Sequence, residues 1–361
     1  MNYVTLLMAG FSLLGAADRI LGNKFGLGKE FERGLMLLGT MALSMIGMLV
    51  LAPLLAELLK PALQAMSEVL PFDPSIIPAS LLANDMGGAP LSVEVAKDPA
   101  IGAFNAMVVS SMMGCTISFT IPFALGLVDK SLHRETLIGL LCGLVTIPAG
   151  CLAAGLVSGI APGPLLLNLI PLILFSGLTA WGLLKIPNIC VAIFHALGVV
   201  IKILITFGLA IGIFTFLTGI ELLPGVDTFE NTAGVVLNAA AVMTGAFPLL
   251  FVLSKLLTKP LQWLGQRIGI NSTAATGLFS TLASSMITFP MLKDMDQKGV
   301  VLNSAFAVSA AFTFAGHLAY TLAVDASYLF CMIVGKLVAG VLAVCMALLI
   351  YRRVFEKKED N

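Results

Sequence analysis

Residues 81–90 read LLANDMGGAP, and this stretch decides how the rest of the chain is interpreted. It places an amide, a carboxylate and two adjacent glycines (Asn84, Asp85, Gly87 and Gly88) in the middle of a long apolar region. A helix that crosses a membrane needs about 20 mostly apolar residues, and irregular backbone at that depth is tolerated only where protein or water satisfies its polar groups. The stretch therefore predicts a broken helix.

The composition predicts an integral membrane protein. Of the 361 residues, 58% are hydrophobic and 11% are charged, and the mean hydropathy is +1.02. A water-soluble fold has no interior large enough for so much apolar surface. The 20 basic residues balance the 20 acidic residues, so net charge favours no nucleic-acid partner. The six cysteines lie in apolar stretches without metal-ligand spacing, and we predict neither a metal nor another cofactor.

Nine segments are long and apolar enough to span a bilayer. They cover residues 3–22, 34–59, 100–128, 134–158, 163–184, 190–219, 232–257, 299–325 and 327–351. Two further segments, 75–96 and 272–296, are apolar but are interrupted by polar residues, glycine or proline. The sequence therefore predicts an all-α polytopic membrane protein with about nine full spans and two broken, re-entrant hairpins.

The distribution of Lys and Arg tests whether the two interrupted segments cross the bilayer, because cytoplasmic loops retain positive charge. If both segments turn back, 16 of the 20 basic residues lie on one side of the membrane and two lie on the other. If both cross, the count becomes 11 against 7. The re-entrant arrangement is favoured, and it predicts an outside N-terminus and a cytoplasmic C-terminus.

The chain also repeats itself at an offset of about 198 residues. The matching residues are Phe31, Glu32, Met45 and Gly47 with Phe229, Glu230, Met243 and Gly245, and then Leu82, Ala83, Met86 and Pro90 with Leu282, Ala283, Met286 and Pro290. Five crossings separate the two starts, so the repeats are predicted to be inverted, with the hairpin tips meeting near mid-membrane as in secondary transporters. We divide the chain into a first repeat (1–160), a linking span (161–188), a second repeat (189–352) and a cytoplasmic tail (353–361).

Asp85 is the leading candidate for a binding residue. A carboxylate at the bilayer centre costs about 2.5–3.5 kcal/mol on insertion scales, so it marks a partner or a pathway. We predict that Asp85 binds a cation, aided by the negative end of the incoming half-helix. The alternative is that Asn84 or Asp85 caps the returning half-helix. Gly87 and Gly88 are predicted to make the reversal, and Pro90 to start the returning helix.

In the second hairpin, Ser284 and Ser285 occupy the positions that match Asn84 and Asp85. Their hydroxyls suit a substrate hydroxyl. A small molecule with an amine at one end and a hydroxyl at the other would therefore fit between the two hairpins, and the pair of sites would be asymmetric.

Four other intramembrane polar residues are candidates of lower specificity. Thr116 is predicted to line the pathway, or else to make an ordinary bond between helices. His317 is interpreted as a substrate ligand or a proton relay, or as a histidine satisfied by a neighbour. Lys202 and Lys336 either balance Asp85 until a cationic substrate displaces them, or extend along their helices to the membrane surface.

Three longer motifs resemble a known family. They are AADRILGNKFGLGKEFERG at 16–34, LLANDMGGAPLSVEVAKDP at 81–99 and SSMMGCTISFTIPFALG at 110–126. The chain is similar in these motifs, and over most of its length, to the EutH-type ethanolamine permeases of bacterial ethanolamine-utilization operons. The resemblance implies uptake of ethanolamine across the bacterial cytoplasmic (inner) membrane. It supplies no binding site, and the assignment of Asp85 is our own inference.

Three other functions remain open from the sequence. A transporter of another small cation, or one coupled to sodium or protons, would use the same hairpins. An intramembrane enzyme would use Asp85 and His317 for acid–base chemistry, although no catalytic motif supports it. A passive membrane anchor would make the polar hairpin residues dispensable. We expect a homo-oligomer, by analogy with transporters in which one bundle slides against a fixed scaffold.

Overall fold

The computed structural model describes residues 3–69 and 71–355, and the regular structure of these residues is helical. The helices in chain order are α1 (Tyr3–Ile20), α2 (Leu27–Val69), α3 (Ile76–Leu81), α4 (Gly88–Val95), α5 (Pro99–Phe104), α6 (Ile121–Leu127), α7 (His133–Val157), α8 (Pro162–Lys185), α9 (Pro187–Thr218), α10 (Phe229–Ile268), α11 (Ser272–Ala283), α12 (Ser285–Met291), α13 (Gln297–Ala310), α14 (Gly316–Val324) and α15 (Leu329–Val354). Two π-helical stretches, Asn105–Gly114 and Thr116–Thr120, join α5 to α6 into one long helix.

Eight helices within the described residues are long and apolar enough to cross a membrane. They begin in α1, α2, α5, the turn before α7, α8, α9, α10 and the turn before α15. The prediction of an all-α polytopic membrane protein is therefore confirmed. The last helix reaches Val354, and residues 356–361 of the predicted cytoplasmic tail lie outside the described part of the chain.

The prediction of one continuous span at 299–325 is wrong. Helix α13 ends at Ala310, and α14 begins at Gly316. Between them Phe312 adopts a left-handed conformation, with φ at +62°, which a bulky side chain rarely takes. The apolar composition of 299–325 suits a continuous helix and a broken one equally well, so hydropathy alone could not locate the break.

The first interrupted segment is a hairpin whose two ends are fastened together by Asp73. One carboxylate oxygen, Oδ1, accepts hydrogen bonds from the backbone N–H (2.9 Å) and the hydroxyl (2.5 Å) of Ser75. The other oxygen, Oδ2, accepts from the backbone N–H groups of Lys97 (3.0 Å) and Asp98 (2.9 Å). The chain thus returns to the point from which it left, as the re-entrant prediction requires. We call residues 73–98 hairpin 1.

The second interrupted segment closes in the same way. Asp296 accepts a hydrogen bond at Oδ1 from the backbone N–H of Asn271 (2.8 Å), and the Asn271 side-chain amide donates to the carbonyl of Asp294 (3.0 Å). Asn303 in α13 adds a bond to the carbonyl of Ala274 in α11 (3.0 Å). Residues 271–296 are therefore also a hairpin, which we call hairpin 2.

Glycines allow the long helices to approach closely. A Cβ on Gly47 of α2 would collide with the carbonyl of Ile205 in α9, and a Cβ on Gly208 of α9 would collide with the carbonyl of Gly47. Gly150 of α7 and Gly335 of α15 meet in the same manner. Lipid gives apolar helices little reason to associate, so such close backbone packing is a main source of cohesion between spans. These contacts hold the frame within which the two hairpins sit.

Candidate functional site

The tip of hairpin 1 is a tight reversal that needs both of its glycines. Gly87 has φ of +101°, and a Cβ there would collide with the side chain of Met48. A Cβ on Gly88 would collide with the carbonyl of Leu82. The Gly88 N–H donates instead to the carbonyl of Ala83 (2.8 Å), which closes the turn. The prediction that this glycine pair makes the reversal is confirmed.

Asp85 and Asn84 are presented at this tip without serving as helix caps. Helix α4 is capped by Gly87, and no side chain supplies a capping hydrogen bond. The alternative in which Asn84 or Asp85 caps the returning half-helix is therefore wrong. Asn84 is fully buried, and within 3–69 and 71–355 neither atom of its amide has a hydrogen-bond partner. Both side chains are left with unused bonding capacity.

Asp85 lies at the start of α14. A Cβ on Gly316, the first residue of that helix, would lie 3.9 Å from Asp85 Oδ2. The positive end of a helix dipole stabilises a nearby anion, which lowers the cost of holding this carboxylate inside the protein. Asp85 is a partly exposed residue, and no other described residue donates a hydrogen bond to its carboxylate. The carboxylate therefore keeps hydrogen-bonding capacity for a ligand.

Lys336 of α15 is the cation whose charge acts on Asp85. It is fully buried, and its ammonium donates hydrogen bonds to the carbonyl of Ser111 (2.7 Å) and to His317 Nδ1 (3.0 Å). An ammonium group has no lone pair, so His317 must accept at Nδ1 and carry its proton on Nε2. The structure thus places His317 beside Lys336, as a neutral imidazole that helps to hold the lysine ammonium in place.

The tip of hairpin 2 presents its two serines differently. Ser284 is partly exposed, and its hydroxyl accepts a hydrogen bond from the backbone N–H of Met286 (3.2 Å), which caps α12. Ser285 is fully buried, and its hydroxyl has no partner among the described residues. Of the two serines, Ser285 has the free hydroxyl.

Hairpin 2 contacts the same unwound segment that Asp85 approaches. The backbone N–H of Phe312 donates to the carbonyl of Thr281 (3.2 Å), and the N–H of Phe314 donates to the carbonyl of Leu282 (3.0 Å). Asp85 of hairpin 1 lies close to Gly316, the first residue of α14, which follows Phe312 by four residues. The break at 311–315 therefore joins the tips of the two hairpins, whereas the apolar sequence predicts ordinary helix there.

Within the described residues, the side chains of Thr116 and Lys202 make no hydrogen bond to this constellation. The Thr116 hydroxyl contacts the carbonyls of Met112 (2.7 Å) and Val308 (2.9 Å), so it links the π-helical stretch to α13. Lys202 lies on the exposed face of α9, away from the hairpins. Among the residues that the structure describes, no group of three or more His, Cys, Asp or Glu side chains is placed to hold a metal ion.

Comparison with known proteins gives one consistent result. Residues 1–350 match the family described as "Ethanolamine utilisation protein, EutH". A Listeria monocytogenes serotype 1/2a (strain 10403S) protein named "Probable ethanolamine permease EutH" is 44% identical over 356 residues, which cover 99% of this chain and 95% of that protein. An Escherichia coli (strain K12) protein of the same name is 38% identical, with 96% and 94% covered.

A third relative, "Uncharacterized protein YxeR" of Bacillus subtilis (strain 168), is 40% identical over 344 residues, which cover 95% of this chain and 93% of that protein. No solved structure matches the chain. The family match spans nearly the whole sequence and includes both hairpins and the unwound segment. The chain belongs to the EutH family of ethanolamine utilisation proteins.

Proposed function

We propose that this protein is a permease that carries ethanolamine across the bacterial cytoplasmic membrane, with Asp85 as the ligand of the substrate ammonium group. The observation that carries the proposal is the state of Asp85. Asp85 is a partly exposed residue at the tip of hairpin 1, and no other described residue donates a hydrogen bond to its carboxylate. The names of the relatives support ethanolamine as the substrate.

The chemistry of ethanolamine suits the polar atoms at the two tips. Its ammonium group is protonated at neutral pH and offers three N–H donors, which the Asp85 carboxylate and the Asn84 carbonyl oxygen can accept. The substrate hydroxyl can pair with the Asn84 amide or with the hydroxyl of Ser285, both of which lack partners within the described chain. Such bonds would replace the water that the cation sheds on leaving solution.

Lys336 supplies a resting counter-charge in this scheme. Its ammonium is anchored on Ser111 and His317, so it balances Asp85 without forming a contact ion pair with it. An arriving ammonium ion can then bind Asp85 without first breaking a salt bridge. Because His317 already accepts a hydrogen bond from Lys336, it is poorly placed to act as a general base, and this favours transport over intramembrane catalysis.

Three pairs of residues support inverted repeats and alternating access. The first pair, Asp73 and Asn271, fastens the starts of the two hairpins. The second pair, Asp98 and Asp296, lies at their ends. The third pair, Asn105 and Asn303, binds each hairpin from the helix that follows it. The members of each pair are 198 residues apart. We infer that the hairpins open in turn to opposite sides of the membrane, with the N-terminus outside and the C-terminus in the cytoplasm.

A second copy of this chain is the proposed neighbour of α9. Lys202 lies at the middle of this 32-residue helix and is exposed on its outer face. Placing its charged side chain in lipid at that depth would cost about 2.5–3.5 kcal/mol. Gly198, Thr206 and Ala210 share the face with Lys202, and small residues of this kind suit helix contacts in membranes. Cross-linking of single cysteines along this face would detect the dimer, and a monomer at all concentrations in native membranes would exclude it.

The test of the proposed function is uptake of labelled ethanolamine by proteoliposomes that contain the wild-type protein or Asp85→Asn. We expect saturable uptake by the wild type and its loss in the variant, with unfolding of the variant unchanged because no other described residue donates a hydrogen bond to the Asp85 carboxylate. Asp129→Asn, which alters an exposed loop, is the control. Unchanged uptake in Asp85→Asn would remove Asp85 from the mechanism. Competition by other amines would reveal a different substrate, and a response of uptake to imposed ion gradients would reveal a coupling ion.

A further inference from the structure

A line of aromatic rings runs from hairpin 2 to the buried histidine. Phe289 of α12 lies 6.0 Å from Phe123 of α6 between ring centroids, and Phe123 stacks on Phe119 at 5.1 Å. Phe119 meets Phe312 edge-on at 5.7 Å, and Phe312 lies 5.3 Å from the ring of His317. The line therefore ends at the group that contacts Lys336.

The middle rings of this line are partly exposed, and the chain neighbours of two of them are buried. Phe119, Phe123 and Phe312 are partly exposed, whereas Ser118 and Thr120 on either side of Phe119 are buried. The residues adjacent to Phe312 are buried as well. Three partly exposed aromatic rings therefore follow one another between hairpin 2 and the long helix that contains Phe119.

The backbone at Phe312 indicates that the ring itself matters. Its φ of +62° is the left-handed conformation that favours glycine. The conformation is held by hydrogen bonds from the N–H of Phe312 to Thr281 and from the N–H groups of Ala315 and His317 to the Phe312 carbonyl. A glycine would break the helix at no steric cost. An aromatic residue held there against this preference points to a role for the side chain.

We propose that Phe123, Phe119 and Phe312 form an aromatic path for an organic ammonium ion, and that the Phe119–Phe312 contact is its narrowest point. The proposal rests on the proposed function, since it requires a cationic substrate. The faces of aromatic rings attract cations, so successive rings provide stepping positions for an ammonium group that has left water. The path joins the α12 side of hairpin 2 to the region of Asp85, Lys336 and His317.

Geometry along the chain places the outer end of the path near the base of hairpin 2. Phe289 lies five residues before Asp294, whose carbonyl takes part in closing the hairpin, and Phe123 lies near the end of α6 at Leu127. With the base of hairpin 2 on the cytoplasmic side, as proposed above, the rings line the route by which substrate leaves for the cytoplasm. The edge-on contact of Phe119 with Phe312 then closes this route in the present structure.

The experiment compares transport with equilibrium binding in three variants of purified protein. Phe119→Leu removes the aromatic face at similar volume, Phe119→Tyr keeps the face, and Phe207→Leu changes a phenylalanine that is 55% exposed on α9. We expect Phe119→Leu to lower the maximal rate of ethanolamine uptake by about 2- to 30-fold, the range of a lost cation–π contact. Its binding of labelled ethanolamine should stay within about twofold of wild type, and the other two variants should transport normally.

Wild-type uptake by Phe119→Leu would overturn the path, and so would a loss of binding that matches the loss of uptake. Phe312→Gly is the second variant, because glycine accepts the left-handed backbone and the change removes only the ring. Phe312→Gly should also lower the maximal rate of ethanolamine uptake while leaving equilibrium binding of ethanolamine near that of the wild type. If the wild-type protein neither binds nor transports ethanolamine, the proposed function fails with the path, whereas normal wild-type transport with unaffected ring variants refutes the path alone.

Discussion

Asp73→Asn should open hairpin 1 at its base. The carboxylate of Asp73 uses one oxygen for the local bonds to Ser75 and the other for the backbone N–H groups of Lys97 and Asp98, at 3.0 and 2.9 Å. Asparagine keeps one acceptor oxygen, and it places an NH2 group where the second oxygen was. Two N–H donors would then face another donor instead of an anion.

The magnitude follows from these two donors. Leaving a buried hydrogen-bonding group unsatisfied costs about 1–3 kcal/mol, so the two together cost about 2–6 kcal/mol. The base of the hairpin is only partly buried, and the lower half of that range is expected. Since about 1.4 kcal/mol is a tenfold change in an equilibrium constant, exchange of the Lys97 and Asp98 amides through local opening should accelerate by about 30-fold or more.

Hydrogen–deuterium exchange of the purified protein measures this opening directly. The chain offers a matched control in Asp129→Asn, because Asp129 makes the same local bonds to the N–H (2.8 Å) and hydroxyl (2.7 Å) of Ser131 without any bond across a hairpin. The control should leave exchange near residues 97–98 unchanged. Equal exchange at Lys97 and Asp98 in wild type and Asp73→Asn would refute the fastening role of the carboxylate.

Two further substitutions test the frame around the site. Gly47→Ala should lower the free energy of unfolding by about 1–3 kcal/mol, because the new Cβ collides with the carbonyl of Ile205. Gly39→Ala on the same helix has open space and should be neutral or stabilising. Thermal unfolding in detergent measures both variants, and equal effects would contradict the close packing of α2 on α9. Thr116→Val should cost about 0.5–1.5 kcal/mol through the lost bond to the Val308 carbonyl while uptake persists. A loss of saturable uptake in Thr116→Val, with stability retained, would show instead that Thr116 binds substrate.

Much of the architecture could be predicted from the chain itself. The apolar segments are long and contain few charged residues, which predicts helical spans, since a bilayer leaves few other ways to satisfy the backbone hydrogen-bonding groups. The glycine pair at 87–88 predicts a reversal because a positive φ and close backbone contact both exclude larger residues. The balance of Lys and Arg favours hairpins that turn back, and the bonds at Asp73 and Asn271 close both hairpins at their bases.

The environment of each polar residue depended on tertiary structure. Position in the two hairpins predicts the same kind of role for all four tip residues, Asn84, Asp85, Ser284 and Ser285. Only Ser284 acts as a cap in the structure. Thr116 is polar in an apolar segment, which predicts a place along the pathway, and its hydroxyl contacts α13. A sequence shows that a polar group lies within a span, whereas its partners come from helices that are distant in the chain.

The sequence by itself determined that this is a polytopic helical membrane protein with two interrupted hairpins, because hydrophobic length and glycine stereochemistry are local properties. Only the tertiary structure decided that 299–325 breaks at Phe312 and that Lys336 reaches His317 beside Asp85. The break is held by carbonyls of hairpin 2, and the lysine is held by α14 and by the π-helical stretch. Such long-range hydrogen bonds leave no periodic signal in the residues that make them.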